Sequence, residues 1–485
     1  MKEAIAKLGK HSLVYGVGNI ATKLVAFLLL PIYTKYLTPD DYGVLQICNT
    51  LSALLLVVYQ MGMTSSLFKV YYNVSEEDDK KTIFSSVFFF YLLAAGGLSA
   101  ILISVRTQIS SVLITVDNSS YLFLIVVISV YIEGALNLGL AILRAKEKSM
   151  YYSLVNVLRV LFYAGFNILF VVVYRRNYIG VREGTLLSIF VALLFLLPIV
   201  VRNIHFKISR EYLKEVLHLG IPLAIGGLGL WVITLTDRYM LRYLLPDSEA
   251  LYQVGLYSLG NKFAMLIKYL LVFPFSLSWG ALMFAYQNHP EAQKIYSRVM
   301  NIFCFAGGVL ILLFSLFSRE TIHFIASNSG YYPAWKVVPV LAFSGVFSGT
   351  ASVLNVGVTL KKHTKYISIS NITAAATNIV LNVLLIPQFG MMGAAYASLI
   401  SFILINIMMY RFSQKDYFIP YQTVRIVSFF VFIAVMIFVV NMMVHIIWIK
   451  VVIFILLLFI LPQFSLVSYS EINRFLRSVK SRLVS

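Results

Sequence analysis

The sequence predicts an all-α integral membrane protein of about 14 transmembrane helices: two pseudo-symmetric six-helix lobes followed by two additional C-terminal helices. Three observations predict it. Of 485 residues, 60% are hydrophobic and only 12% charged, about half the charged share of a soluble domain. The apolar residues fall in runs of about 20, long enough to cross the bilayer hydrocarbon. There every backbone N–H and C=O must pair within its own segment, so such runs become helices. Lastly, stretches from the two halves of the chain match each other across a separation of six runs.

In chain order the runs lie near 12–37, 42–68, 83–105, 119–143, 151–174 and 183–201, then 216–245, 251–279, 296–318, 334–359, 366–386 and 392–410, and finally 423–446 and 448–467. The expected organisation is an N-terminal lobe over 1–201, a C-terminal lobe over 202–411, two further helices over 412–468 and a tail over 469–485. The first run lacks a small-residue cleavage pattern and is read as retained. In the tail, Ile472, Phe475, Leu476, Val479 and Leu483 recur at helical spacing opposite basic residues, the pattern of an interfacial amphipathic helix.

The net charge is +19, from 39 basic and 20 acidic residues. In a soluble chain that excess would suggest nucleic acid, but here the basic residues follow the membrane topology and no nucleic-acid partner is expected. With both termini placed in the cytoplasm, the inner loops and tail hold 24 Lys and Arg. The outer side holds nine: Lys35, Arg106, Arg175, Arg176, Arg182, Arg242, Arg319, Lys336 and Lys450. This is the positive-inside bias. Arg175, Arg176 and Arg182, crowded into one outer loop, run against it.

Residues 146–171 lie on 361–386 at an offset of 215, matching Tyr151 with Tyr366, Ser153 with Ser368, Asn156 with Asn371 and Asn167 with Asn382. At an offset of 207, Tyr36-Leu37-Thr38-Pro39-Asp40 lies on Tyr243-Leu244-Leu245-Pro246-Asp247. Partners six spans apart imply a parallel repeat about an axis along the membrane normal, the architecture of an alternating-access transporter. Apolar helices also resemble one another by chance; the shared asparagines argue against chance here.

Six basic residues fall inside spans: Lys23, Arg159, Arg238, Lys262, Lys268 and Arg425. The acidic ones there are Glu133 and Asp237. An ionised side chain at mid-membrane costs roughly 3 kcal/mol, so such groups face a wet cavity or each other. Arg425 snorkels to the interface on this reading. Lys23, Arg159, Arg238, Lys262 and Lys268 are the candidates for a cationic cavity that attracts an anionic substrate. Lys23 is the foremost of them, and Asp237 with Arg238 also reads as a local pair. Glu133 is a candidate proton or sodium coupling site or a structural hydrogen-bonding group, and Asp237 a second coupling candidate. No cofactor is expected; a proton or sodium gradient is one candidate driving force. Pro31, Pro222 and Pro274 are placed to kink helices, and Gly345-x-x-x-Gly349 to bring two together.

Enzyme signatures fail. Gly255-Leu256-Tyr257-Ser258-Leu259-Gly260-Asn261-Lys262 imitates a phosphate-binding loop with Asn where Lys is required. The seven His show no metal-ligand spacing. Cys48 and Cys304 both lie in apolar runs, which excludes a disulfide framework.

Several stretches carry a resemblance. Gly220-Ile221-Pro222 through Thr236-Asp237-Arg238-Tyr239-Met240-Leu241, then Val254-Gly255-Leu256-Tyr257-Ser258, is similar to the seventh and eighth helices of bacterial polysaccharide flippases. So are Arg144-Ala145-Lys146 before Tyr151, Lys361-Lys362-His363-Thr364-Lys365, Asn378 and Asn382, Ile386-Pro387-Gln388-Phe389-Gly390, and Gly393-Ala394-Ala395. The resemblance spans nearly the whole chain. It implies the fold of the multidrug/oligosaccharidyl-lipid/polysaccharide exporter superfamily. It also implies flipping of an undecaprenyl-diphosphate-linked oligosaccharide across a bacterial inner membrane for O-antigen, capsule or exopolysaccharide assembly. Expected partners are that substrate, membrane lipids, and polysaccharide polymerase and chain-length machinery. The cavity residues rest on the charge argument alone. The competing readings are a multidrug/cation antiporter of the same superfamily, which would carry acidic cavity residues, and a membrane polysaccharide polymerase, which would need large outer loops.

Overall fold

The computed structural model describes residues 25, 27–444, 446–464 and 466. Lys23 and the amphipathic tail therefore lie outside the described residues. Those described form helices joined by short turns, with no strand among them. In order they are α1 (Leu30–Tyr36), α2 (Pro39–Gln60), α3 (Met63–Asn73), α4 (Glu77–Ser104), α5 (Arg106–Leu113), α6 (Ser119–Ala145), α7 (Ser149–Asn167), α8 (Asn177–Arg202) and α9 (Arg210–Leu244). Then follow α10 (Asp247–Ile267), α11 (Phe273–Ala285), α12 (Ala292–Leu316), α13 (Ser318–Ile325), α14 (Val338–Leu354), α15 (Val356–Leu360), α16 (Lys365–Phe389), α17 (Met391–Asp416), α18 (Thr423–Met443) and α19 (Ile447–Ile460).

Among the described residues, 12 helical segments are long and apolar enough to cross a membrane. They coincide with spans two to six and eight to fourteen of the sequence reading. The seventh span is α9, whose 35 residues extend about 50 Å at 1.5 Å per residue, well beyond the hydrocarbon thickness.

Local chemistry explains the joints. Thr38 starts α2 with a reciprocal cap: its hydroxyl accepts from the Asp41 amide at 3.1 Å while its own amide donates to Asp41 Oδ2 at 3.0 Å. Pro39 occupies the first turn, where a missing N–H is harmless. The repeat-related α9–α10 joint keeps the proline without the cap: Leu245, the repeat partner of Thr38, is extended as Thr38 is but has no hydroxyl, and Pro246-Asp247 leads into the next helix. Span two is broken at Met61 (φ 44) and Gly62 (φ 71), two successive left-handed residues. Pro222 leaves α9 continuous, whereas Pro274 follows a π-helical turn, Lys268–Val272, that divides α10 from α11. The imitation phosphate loop, 255–262, is an interior stretch of α10 and cradles nothing.

The chain divides into two compact units, Met1–Gly255 with Ala326–Asn328, and Leu256–Ile325 with Ser329–Ser485. In the first, α9 packs on α2, α3 and α4, helices from the other side of the 201/202 boundary suggested by the repeat. Glycines make this possible: a Cβ on Gly62 would stand 2.1 Å from the Gly220 carbonyl oxygen. In the second unit, Gly349 admits the ring of Phe303, whose Cζ would lie 2.4 Å from an added Cβ, as the small-residue spacing predicts.

Candidate functional site

Polar groups inside the first unit are organised by α7. Arg159, Tyr163 and Asn167 recur at four-residue spacing and so share one stripe of that helix. At one end of the stripe, Arg159 Nη2 meets Glu133 Oε1 of α6 at 2.5 Å. Both side chains are about one-quarter exposed. The carboxylate that has no cation near it in sequence is thus paired across 26 residues. At the other end, Tyr33 of α1 lies 3.0 Å from the Tyr163 hydroxyl and donates to Asn167 Oδ1 at 2.9 Å, while Asn167 Nδ2 donates to the Tyr163 carbonyl at 2.7 Å.

Beside this stripe stands Arg182 of α8, 3% exposed. Its Nη1 donates to Asn49 Oδ1 at 3.0 Å and its Nη2 to Ser52 Oγ at 2.9 Å, both on α2. Its Nε is buried without an acceptor among the described residues. The Tyr163 hydroxyl interacts electrostatically with both Arg159 and Arg182. Tyr42 interacts with both Tyr163 and Arg238. Arg238, 6% exposed, donates to the Thr234 carbonyl one turn back at 3.0 Å, and Asp237 is fully buried. Three guanidinium groups therefore share one interior with two carboxylates.

The remaining predicted cations lie in the second unit. Lys262 is half-buried on α10. Lys268, in the π turn, holds its ammonium 5.2 Å from the centroid of the Phe402 ring. That unit also contains an apolar cavity of about 640 Å³ walled by Phe343, Phe347, Ile403 and Phe430. Arg411 lies at the end where α17 finishes and α18 begins.

Sequence reasoning missed Arg182. The apolar run of span six begins at 183, which leaves Arg182 in an outer loop, whereas α8 starts at Asn177; Gly180 and Gly184 on either side are the available signal of a closely packed helix. Lys450 and Arg242, also assigned to the outer side, are 1% and 6% exposed. Lys450 Nζ pairs with Glu320 Oε1 at 2.7 Å. Of the nine cations assigned to the outer side, these three are therefore buried in the fold, Arg319 is half-buried, and five are exposed.

Comparison with known proteins bears on the family and the fold. The profile of the family described as polysaccharide biosynthesis protein matches residues 8–280. Lsg locus putative protein 1 of Haemophilus influenzae is 21% identical over 270 residues, which is 54% of this chain and 62% of that protein; the match thus spans less than two thirds of the relative. The lipid II flippase MurJ in an inward closed conformation superposes with a TM-score of 0.71 at 16% identity, covering 93% of this chain and 98% of MurJ. An inward-facing multidrug resistance MATE family transporter of the MOP superfamily gives 0.68 at 13% identity, over 81% of this chain and 94% of its own. The chain therefore belongs to the polysaccharide biosynthesis protein family, and its fold is that shared by MurJ and the MATE transporter.

Proposed function

We propose that the chain flips an undecaprenyl-diphosphate-linked oligosaccharide across the bacterial inner membrane by alternating access, supplying surface polysaccharide assembly. The observation that carries this reading is Arg182: a buried guanidinium held by neutral oxygens, with a further N–H left over. Keeping such a cation ionised inside a membrane is expensive unless an anion visits it. A diphosphate offers several acceptor oxygens and the matching charge. Lys23, Arg159, Arg238, Lys262 and Lys268 extend the proposed cationic set. The apolar cavity of the second unit offers the isoprenoid chain a wall of rings and branched side chains. The Lys/Arg asymmetry supports a topology with both termini in the cytoplasm. Polymerase and chain-length machinery are the proposed partners on the product side. Energy from a proton or sodium gradient would enter at Glu133 or Asp237.

A multidrug antiporter is the second reading, favoured by the MATE superposition. Its cationic cargo would need interior carboxylates free of cations, whereas Glu133 is paired with Arg159 and Asp237 is followed directly by the buried Arg238. The deciding experiment deletes the protein and follows lipid-linked sugars by leaflet. Accumulation of a cytoplasm-facing precursor supports flipping, and complementation with Arg182→Gln should restore less than about a tenth of export. Altered drug tolerance with normal surface polysaccharide would refute it.

A further inference from the structure

The α9–α10 joint is tied to the rest of the first unit by contacts of two kinds. The first is steric. A Cβ on Gly43 of α2 would stand 2.2 Å from the Leu251 carbonyl oxygen, and one on Gly255 of α10 would stand 2.0 Å from the Pro39 carbonyl oxygen. Each hairpin thus carries a notch that receives the other's backbone, and the two hairpins are those that the 207-residue repeat relates. The second kind is polar. Arg242, near the end of α9, donates through Nε to Thr115 Oγ1 at 2.9 Å and through Nη2 to the same oxygen, and its Nη1 meets Asp247 Oδ1 at 2.6 Å. Tyr243 donates its hydroxyl to the Val112 carbonyl at 2.7 Å. Thr115 itself has φ 46, a left-handed backbone that β-branched residues rarely adopt, and this conformation presents its hydroxyl to Arg242.

We propose that this interlock is the gate at the end of the bundle where α1 turns into α2, and that Arg242 is the latch whose release lets the α9–α10 joint swing away. The inference rests on the alternating-access reading. Its parts suit a gate: the glycine notches allow backbone contact without side chains to disentangle, and the polar ties are few. Arg242 also keeps Asp247 as a partner when it lets go of Thr115, because that pair lies within a single joint. A gate of this kind has two discrete arrangements, and perturbing the ties shifts the population between them.

The test uses purified full-length protein with Cys48 and Cys304 replaced by Ala and Leu251→Cys as reporter, treated with a membrane-impermeant maleimide. Arg242→Ala and Gly255→Leu should each raise the labelling rate roughly threefold or more, and the milder Tyr243→Phe should raise it less. In cells, joining Val112→Cys to Tyr243→Cys with a reducible thiol cross-linker should stop polysaccharide export, and reduction should restore it. Equal labelling in the parent, Arg242→Ala and Tyr243→Phe would overturn the latch, as would undiminished export by the cross-linked protein. Labelling does not depend on the cargo, so a deletion with normal surface polysaccharide would refute the flippase reading alone, while flat labelling would refute the latch alone.

Discussion

Lys450 offers a quantitative test of how the last helices are held. Its ammonium donates to the Leu316 carbonyl at 3.0 Å, to Glu320 Oε1 at 2.7 Å and to Asn441 Oδ1 at 3.4 Å, which uses all three of its N–H groups. The lysine side chain is 2% exposed and the glutamate 21%. Replacing Lys450 with Met keeps the volume but strands a carboxylate whose second oxygen, Oε2, is already buried without a hydrogen-bond partner. Breaking a buried pair costs about 3–5 kcal/mol, and the partial exposure of Glu320 argues for the lower end, about 3 kcal/mol. Glu320→Leu should cost a similar amount by stranding the ammonium. The double replacement Lys450→Met with Glu320→Leu should return to within about 1 kcal/mol of the parent, because two apolar groups leave no charge behind. The coupling between the sites is then at least about 2 kcal/mol. Equilibrium unfolding in a denaturing-detergent titration measures all four proteins. A coupling under about 0.5 kcal/mol would show that the pair does not fasten α19 to α12 and α13.

Two further perturbations follow from the first unit and from the α16–α17 turn. Arg159→Gln should lower export severalfold, and pairing it with Glu133→Gln should recover part of the loss, since the double change leaves no stranded charge; a double variant worse than both singles would show that Glu133 acts apart from Arg159. Gly390 sits at φ 54 and ψ −131, outside the regions open to residues with a Cβ, so Gly390→Ala should destabilise the α16–α17 hairpin by about 1–3 kcal/mol, read as earlier thermal unfolding, and an unchanged unfolding temperature would contradict the strain argument.

The legible features were those with a local cause. Pro39 and Pro246 mark helix starts in any context, because a proline N–H is missing wherever the residue sits. The stretch Ile386 to Ala395, noticed as a family pattern, acquires its reason in the structure: Gly390 supplies the turn, and Gly393 lets α17 approach so closely that an added Cβ would be 2.3 Å from the Leu385 carbonyl oxygen. Charge positions were less legible. The sequence reading puts Arg182 in a loop and Lys450 at the outer end of the last run, because a hydropathy window penalises a cation wherever it stands, while the cost in the fold depends on the partner: Asn49 and Ser52 for one, Glu320 for the other. Glu133 has no cation near it in sequence, and its partner Arg159 comes from the next helix.

Composition and run length alone determined that this is a helical membrane protein, because lipid offers the backbone no partners and leaves helix as the solution for long apolar segments. Repetition of a few polar positions further suggested a chain built twice. What only the tertiary structure decided was pairing: which carboxylate neutralises which cation, which cation is left with neutral oxygens, and which glycine receives whose carbonyl. Those outcomes depend on separations of a few ångströms between residues far apart in the chain, as Gly255 and the Pro39 carbonyl are, and neither hydropathy nor helical period carries that information.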